Sequence, residues 1–391
     1  MEREGRLVYD GALSLLYTGY KLSQKKKVAI LITRMDLGGA QEVALETAAG
    51  LDPERYEVTL LAGPGGMLDA EAERRLGPRF VRVPSLRHPI SPLNDLKALI
   101  WLFRYFYRER TDIAHTHSSK AGVLGRIAAW AAAVPLIVHT VHGWSFNDRM
   151  KNPLRFFYIQ LEQMLATVTD ALCVVAQSCK DKGLYNRVGV SGQYYLLRAA
   201  VNLKEWRAAA RQNHQGVVIG CIANCKEQKN PLDFVRVAAK VLQSAPDARF
   251  VYVGDGPLKV QAEALAQTLG VADRVAFTGW AENPRSAAAG FDLFLLTSLW
   301  EGLPCVFPQV LAMGIPVIAT HVDGAPEIIS EGVNGYLCQP GDVAALADRV
   351  TALALDDGLR LRMAQAAKDS VGGEYDFPEM IRGTEKIYEA L

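Results

Sequence analysis

Glu301-Gly302-Leu303-Pro304 is the stretch of this 391-residue chain whose residue types and spacing could do the most chemistry. Proline suits the first position of a helix, where its missing N–H has no intrahelical acceptor to lose. With Pro304 at that position, Gly302 and Leu303 present free amides at a helix start, a setting that favours an anion such as a diphosphate. The Glu301 carboxylate beside them accepts hydrogen bonds from hydroxyls. As a mere complement to the helix dipole at an exposed site it would contribute under about 1 kcal/mol. Gln309, eight residues on, is expected two turns into the same helix.

Three other groups bear charge, protons or close backbone approach. Lys226 and Lys229 follow an apolar run in Asn224-Cys225-Lys226-Glu227-Gln228-Lys229, where each is either a point charge for phosphate or an ordinary solvated loop lysine. His115 and His117 share a face by the two-residue period of a strand, and His139 and His142 close the next apolar run. One histidine at a strand end is commonly a structural donor. Two neighbouring strands ending in histidine point to a cleft, where imidazole donates hydrogen bonds or exchanges a proton near neutral pH. Gly38-Gly39 precedes a helical pattern and allows close approach of a ligand, or makes a plain tight turn; the pair alone does not meet the Gly-x-Gly-x-x-Gly dinucleotide fingerprint.

These residues need strands to hold them. From residue 28 onward, short β-branched runs at 28–33, 58–62, 80–83, 113–115, 136–140 and 171–176 alternate with longer stretches of helical spacing such as 94–108, 121–133 and 152–167. That alternation indicates a doubly wound parallel sheet. A polar interval at 198–215 interrupts it, and the pattern restarts at 217–223, 249–254, 275–278, 293–296 and 316–320. The expected fold class is therefore α/β, with two Rossmann-like doubly wound domains facing across a cleft. Ligands of such sheets bind beyond the carboxyl ends of the strands, where the motifs above fall. The chain divides into an N-terminal extension at 1–26, a first domain at 27–198, a second at 199–374, and a C-terminal helix at 375–391 whose spacing would let it pack back on the first domain.

Composition narrows the function classes. Forty-three Lys and Arg against forty-two Asp and Glu leave a net charge of +1, unlike the basic excess of a nucleic-acid binder. Six scattered cysteines suit a reducing compartment with free thiols rather than a disulfide scaffold. The absence of Asp-x-Asp and His-Glu-x-x-His leaves metal chemistry without a motif. The apolar stretch at 127–138 is too short for a bilayer and holds Pro135, and the charged N-terminus is not a signal peptide. In 101–108, aromatic residues and arginines crowd together: one apolar face packed on the sheet, or a surface that docks on a membrane.

Taken together the motifs resemble the retaining family-four glycosyltransferases of GT-B fold, over residues 27–391. Glu301-Gly302-Leu303-Pro304, Pro316-Val317-Ile318-Ala319-Thr320 and Gly324-Ala325-Pro326-Glu327 carry the resemblance most specifically. Gly38-Gly39-Ala40-Gln41, Gln228-Lys229-Asn230-Pro231 and Val253-Gly254-Asp255-Gly256-Pro257 support it. The run from His115 to Gly143 is similar to enzymes that build capsular polysaccharide, exopolysaccharide or O-antigen.

The resemblance implies a cytoplasmic, peripherally membrane-associated hexosyltransferase. It would move sugar from a nucleotide diphosphate donor, UDP-linked, to a glycan or polyprenyl-linked acceptor, with no metal or other cofactor and no nucleic-acid partner. By it, Gly38 and Gly39 approach the donor diphosphate, His117 contacts the transferred sugar, and Lys229 neutralises the leaving group. Glu301 holds donor hydroxyls, Gly302, Leu303 and Pro304 give backbone contacts, and His142 lies on the acceptor side. This sequence departs from the family pattern at Gln309, where a second glutamate binds ribose, and at Asn224, where an arginine precedes the lysine by five. Lys226 is the replacement charge. Ala199-Ala200 stands where Asn-Gly or Ser-Gly is usual. These departures carry an alternative: a degenerate protein of this fold that binds nucleotide sugar without turnover.

Overall fold

Runs of Val, Ile, Leu and Ala without polar alternation make strands that must be covered on both faces, and the chain supplies the cover from helices on each side. The computed structural model describes residues 25–212, 214–281 and 283–391. The extension read at 1–26 lies, but for its last two residues, outside them.

Among the described residues the first sheet holds seven parallel strands: β1 (Lys26–Arg34), β2 (Tyr56–Gly63), β3 (Phe80–Arg82), β4 (Ile113–His117), β5 (Leu136–Val141), β6 (Ala171–Val174) and β7 (Tyr194–Leu196), in the order β3-β2-β1-β4-β5-β6-β7. The second holds six: β8 (Val218–Ile222), β9 (Arg249–Val253), β10 (Val275–Gly279), β11 (Leu293–Leu296), β12 (Val317–Thr320) and β13 (Gly335–Cys338), in the order β10-β9-β8-β11-β12-β13. In each sheet the order reverses beside the first strand (β1 or β8), the switch point at which parallel sheets open a crevice.

Val28, Ile30 and Ile32 face one side of β1, and Ala29 and Leu31 face the other; all five are buried. The Pro92–Glu109 and Ser119–Ala131 helices cover one face, while the Gly39–Gly50 helix and the C-terminal Phe377–Ala390 helix cover the other. The C-terminal helix reaches that face because the chain crosses twice between domains at one place. Val201 and Asp376 form a parallel bridge, with the Val201 N–H donating to the Tyr375 carbonyl at 2.9 Å. Met380, Ile387 and Tyr388 then bury themselves in the first domain.

Three local expectations differ. Pro304 lies two residues before its helix, which runs Val306–Ala312, so 302–305 form an open turn and Gln309 is one turn into the helix, not two. The polar interval at 198–215 contains a short Leu203–Arg207 helix, held by buried Leu203 and Trp206 and capped by the Asn202 side chain. The strands β7 and β13, Tyr-Tyr-Leu and Gly-Tyr-Leu-Cys, were not among the expected runs: each holds one Leu and no Val or Ile.

Candidate active site

A cleft of about 810 Å³ lies between the domains, lined by the C-terminal ends of strands and the loops that follow them. From the first domain come Gly38, Gly39, Ser118, His142 and Trp144; from the second come Asn224, Lys226, Lys229, Glu301, Gly302, Leu303 and Pro304. Ten of the expected site residues are thus brought together, although they lie more than 250 positions apart in the chain at the extremes.

Glu301 is the most heavily constrained of them. Its carboxylate pairs with the Lys229 ammonium, accepts from Ser298 Oγ at 2.6 Å and from Gln228 Nε2 at 3.3 Å, and its own backbone N–H donates to Asp323 Oδ2 at 2.7 Å. The Lys229–Glu301 pair is largely shielded from water, so removing either partner strands the other's charge. Asp323 sits at φ +39°, in the left-handed region that few non-glycine residues adopt, and also meets Lys182 at 3.6 Å. Burial raises its carboxyl above the usual range, against the lowering effect of the Glu301 amide and Lys182. Lys226 has its pKa lowered, first by desolvation in the cleft and then by the neighbouring Lys229 charge.

Two sets of backbone donors face this cluster. The N–H groups of Gly302, Leu303, Cys305 and Val306 have no acceptor among the described residues, nor do those of Gly39 and Ala40 at the start of the Gly39–Gly50 helix. The domains meet here. A Cβ on Gly39 would lie 2.3 Å from Cys305 Sγ, and one on Gly302 would lie 2.0 Å from the His142 carbonyl oxygen. Glycine at these positions lets the two domains close on each other. Unpaired amides from the start of the Gly39–Gly50 helix and from the open turn before the Val306–Ala312 helix, together with Lys226 and Lys229, give the middle of the cleft a positive potential suited to a diphosphate.

Two expected residues stand off the wall. His117 is buried behind His142: its Nδ1 lies 3.0 Å from His142 Nε2, and its own Nε2 is buried without a partner among the described residues. Gln309 is buried in the Val306–Ala312 helix and is not among the residues that line the cleft. The histidines form a stack in which the His115 and His117 rings are 4.5 Å apart, as the two-residue period on β4 requires. His115 is held between Thr140 Oγ1 and the Tyr388 hydroxyl, each at 2.7 Å. His139 faces the other way, to Thr116. Burial drives all four below the usual imidazole value, to about 3 at His115 and about 4 at His142, so each is neutral at pH 7. The orphaned Oδ1 of Asn224 is likewise buried, at the position where positive charge was expected.

Glu327 was not foreseen. It stands in the Gly324-Ala325-Pro326-Glu327 turn of the second domain, yet its carboxylate accepts from the backbone N–H groups of Gln177 and Ser178, each at 2.9 Å, at the start of the first domain's Gln177–Tyr185 helix. Arg198 pairs with it from the segment that joins the domains. Burial pushes this carboxyl up, but the two amides and Arg198 hold it below the usual range. The turn itself was legible in the sequence; its partner across the cleft was not.

Comparison with known proteins gives a consistent result. Residues 38–188 match the model of the glycosyl transferase 4-like domain, and residues 202–370 match that of glycosyl transferases group 1. A UDP-Gal:alpha-D-GlcNAc-diphosphoundecaprenol alpha-1,3-galactosyltransferase of Escherichia coli is 30% identical over 364 residues, covering 89% of this chain and 93% of that protein. An N-acetyl-alpha-D-glucosaminyl L-malate synthase of Bacillus anthracis is also 30% identical, over 76% of this chain and 79% of its own. Among solved structures, Anabaena HepE in complex with UDP-glucose superposes with a TM-score of 0.80 at 18% identity, over 93% of this chain and 100% of that one, which shows the GT-B fold.

Proposed function

The chain belongs to the group 1 glycosyltransferases, and from that premise we propose that it transfers a hexose from a UDP-linked donor to a polyprenyl-linked or glycan acceptor in the assembly of cell-surface polysaccharide. The acceptor class is supported by the Escherichia coli relative, whose name specifies a diphosphoundecaprenol. Nucleotide sugars are cytoplasmic, so the proposed reaction belongs on that side of the membrane.

The observation that carries the reading is the convergence of free amides, Lys226 and Lys229 on one side of a cleft whose floor holds the Glu301 carboxylate. When the bond between the anomeric carbon and the donor phosphate breaks, the electron pair goes to the diphosphate. Lys229 and the amides of Gly302, Leu303 and Cys305 stabilise that charge, and these amides give up no protein acceptor to do so. With Lys229 and Ser298 on Oε1 and Gln228 on Oε2, Glu301 keeps one acceptor site, on Oε2, for a hydroxyl of the sugar. The proposed reaction retains anomeric configuration: the acceptor hydroxyl attacks from the face the diphosphate leaves, giving its proton to a donor phosphate oxygen. It needs no metal, since lysine and backbone dipoles supply the charge. His142 is the imidazole at the cleft wall on the acceptor side. His117 would reach the sugar through it, by the shared Nδ1–Nε2 hydrogen bond, or by a ring movement on donor binding.

A panel of nucleotide sugars with a lipid diphosphate sugar acceptor, monitored for nucleoside diphosphate release with and without chelator, tests this. One UDP-sugar should turn over with chelator present, and Glu301→Ala should lose on the order of a hundredfold or more. Unchanged rates in both Glu301→Ala and His117→Ala would overturn the residue roles.

A further inference from the structure

Asp323 stands at a position whose backbone suits glycine. Its φ of +39° lies in the left-handed region, where a Cβ crowds the backbone and only short polar side chains such as aspartate are at all common. Gly324, one residue on, has φ −78°, a conformation open to any residue, and is small for a different reason: a Cβ there would lie 2.5 Å from the Gly302 carbonyl oxygen. The turn therefore keeps a side chain where its backbone disfavours one. Backbone strain that persists points to a use for the side chain that incurs it.

That side chain reaches partners in both domains. Its Oδ2 accepts the Glu301 N–H at 2.7 Å, and its Oδ1 lies 3.6 Å from the Lys182 ammonium on the first domain's Gln177–Tyr185 helix. The peptide between Trp300 and Glu301 is thus gripped at both ends, since its carbonyl, on the opposite side, accepts from Gln228 Nε2 at 3.0 Å. Gly302 is fixed separately, its carbonyl accepting from the Gly324 N–H at 2.8 Å. Asp323 therefore acts on Glu301 rather than on the free amides that follow it. Lys182 also meets Asp148 at 3.2 Å, so it is held in place from its own domain. Lys182 and Asp323 are only 19% and 16% exposed, and their attraction is screened less than it would be in open water.

We propose that Asp323 is a positioning residue for the transfer reaction, acting through Glu301, and that Lys182 ties this action to the two domains being together. Glu301 has one acceptor site left for the sugar, and the direction of that site follows from the peptide that Asp323 holds. Burial and the nearby Glu301 charge disfavour the Asp323 carboxylate, while the Glu301 amide and Lys182 favour it. Parting the domains removes the Lys182 contribution and leaves two carboxylates facing each other at the donor side of the cleft. Held together, first and second domain share one charge arrangement around Glu301. The inference rests on the reading in which Glu301 receives a hydroxyl of the donor sugar.

Asp323→Gly separates the backbone from the carboxylate, since glycine adopts the left-handed conformation freely and brings no acceptor. Its Tm should stay within about 2 °C of the parent's, relief of the strained backbone offsetting the freedom that glycine adds to the unfolded chain. Its affinity for UDP, by calorimetric titration, should stay within about twofold, while kcat on the sugar nucleotide that the parent uses should fall about tenfold or more. In a Glu301→Ala background the same change should cost less than about twofold further, as a residue acting through that carboxylate requires. Lys182→Met should show a smaller fall in kcat that Lys182→Arg does not. An unchanged kcat at Asp323→Gly, or losses that multiply in the double variant, would overturn the proposal while the parent's turnover keeps the transferase reading. A parent with no turnover on any sugar nucleotide would sink that reading and this inference with it.

Discussion

Four neutral imidazoles, three packed inside the first domain and His142 at its cleft wall, make its stability depend on protons. Each has a pKa lowered by burial in the folded chain, whereas the unfolded chain binds a proton near pH 6.5. Between about pH 6.5 and 4 the unfolded state therefore holds more protons, and stability falls as pH falls, by about 2 kcal/mol per histidine from pH 7 to 5. Glu42 acts in the opposite sense. Burial, reinforced by the Glu46 charge, raises its carboxyl to about 7, so it favours the folded state below that value. Four histidines outweigh one carboxyl. Denaturant midpoints should drop from pH 7 to 5, and His115→Gln should flatten the drop by one proton; a level profile would contradict the neutral assignment. The same residues show what a sequence conveys at this scale. Period two put His115 and His117 on one face correctly, but which imidazole reaches the cleft depended on the turn after β5, which places His142 in front of His117.

At the scale of elements, the cleft is held by contacts that belong to neither domain alone. Glu327 caps the Gln177–Tyr185 helix from across the cleft, a helix whose own cap position, Ala176, offers no side-chain acceptor. Glu327→Ala should cost about 1 kcal/mol of the first domain's stability, a fall in Tm of roughly 2–4 °C, and should let the domains part. Differential calorimetry together with small-angle scattering reads both; an unchanged Tm and radius of gyration would remove Glu327 from the latch. Most elements were legible in the sequence because parallel strands buried on both faces need short apolar runs, as at Val28–Ile32 of β1, Leu136–Val138 of β5 and all of β11. The start of the Val306–Ala312 helix was not, since Pro304 suits the position before a helix as well as the first one in it. Gln309, which the resemblance puts at the ribose-binding position, is buried in that helix and off the cleft wall. Contacts across the cleft, such as Gly39 against Cys305, had no sequence signal because they depend on how two domains meet.

For the whole molecule, the double crossing at Val201 and Asp376 ties the C-terminal helix to the first domain and brings Tyr388 onto His115, so the carboxyl end of the chain braces the strands that carry the histidines. Both domains thereby present their strand ends to one cavity, and the composition of its middle, Lys226, Lys229 and free amides beside the paired Glu301 carboxylate and Asp323, fits a nucleoside diphosphate better than any uncharged ligand. Calorimetric titration of UDP against uridine, into the parent and Lys229→Ala, tests that claim most directly. The diphosphate should bind the parent at least about tenfold more tightly than the nucleoside, and Lys229→Ala should lose most of that margin while its uridine affinity is kept. Equal affinities for UDP and uridine, or an undiminished margin in Lys229→Ala, would contradict the account.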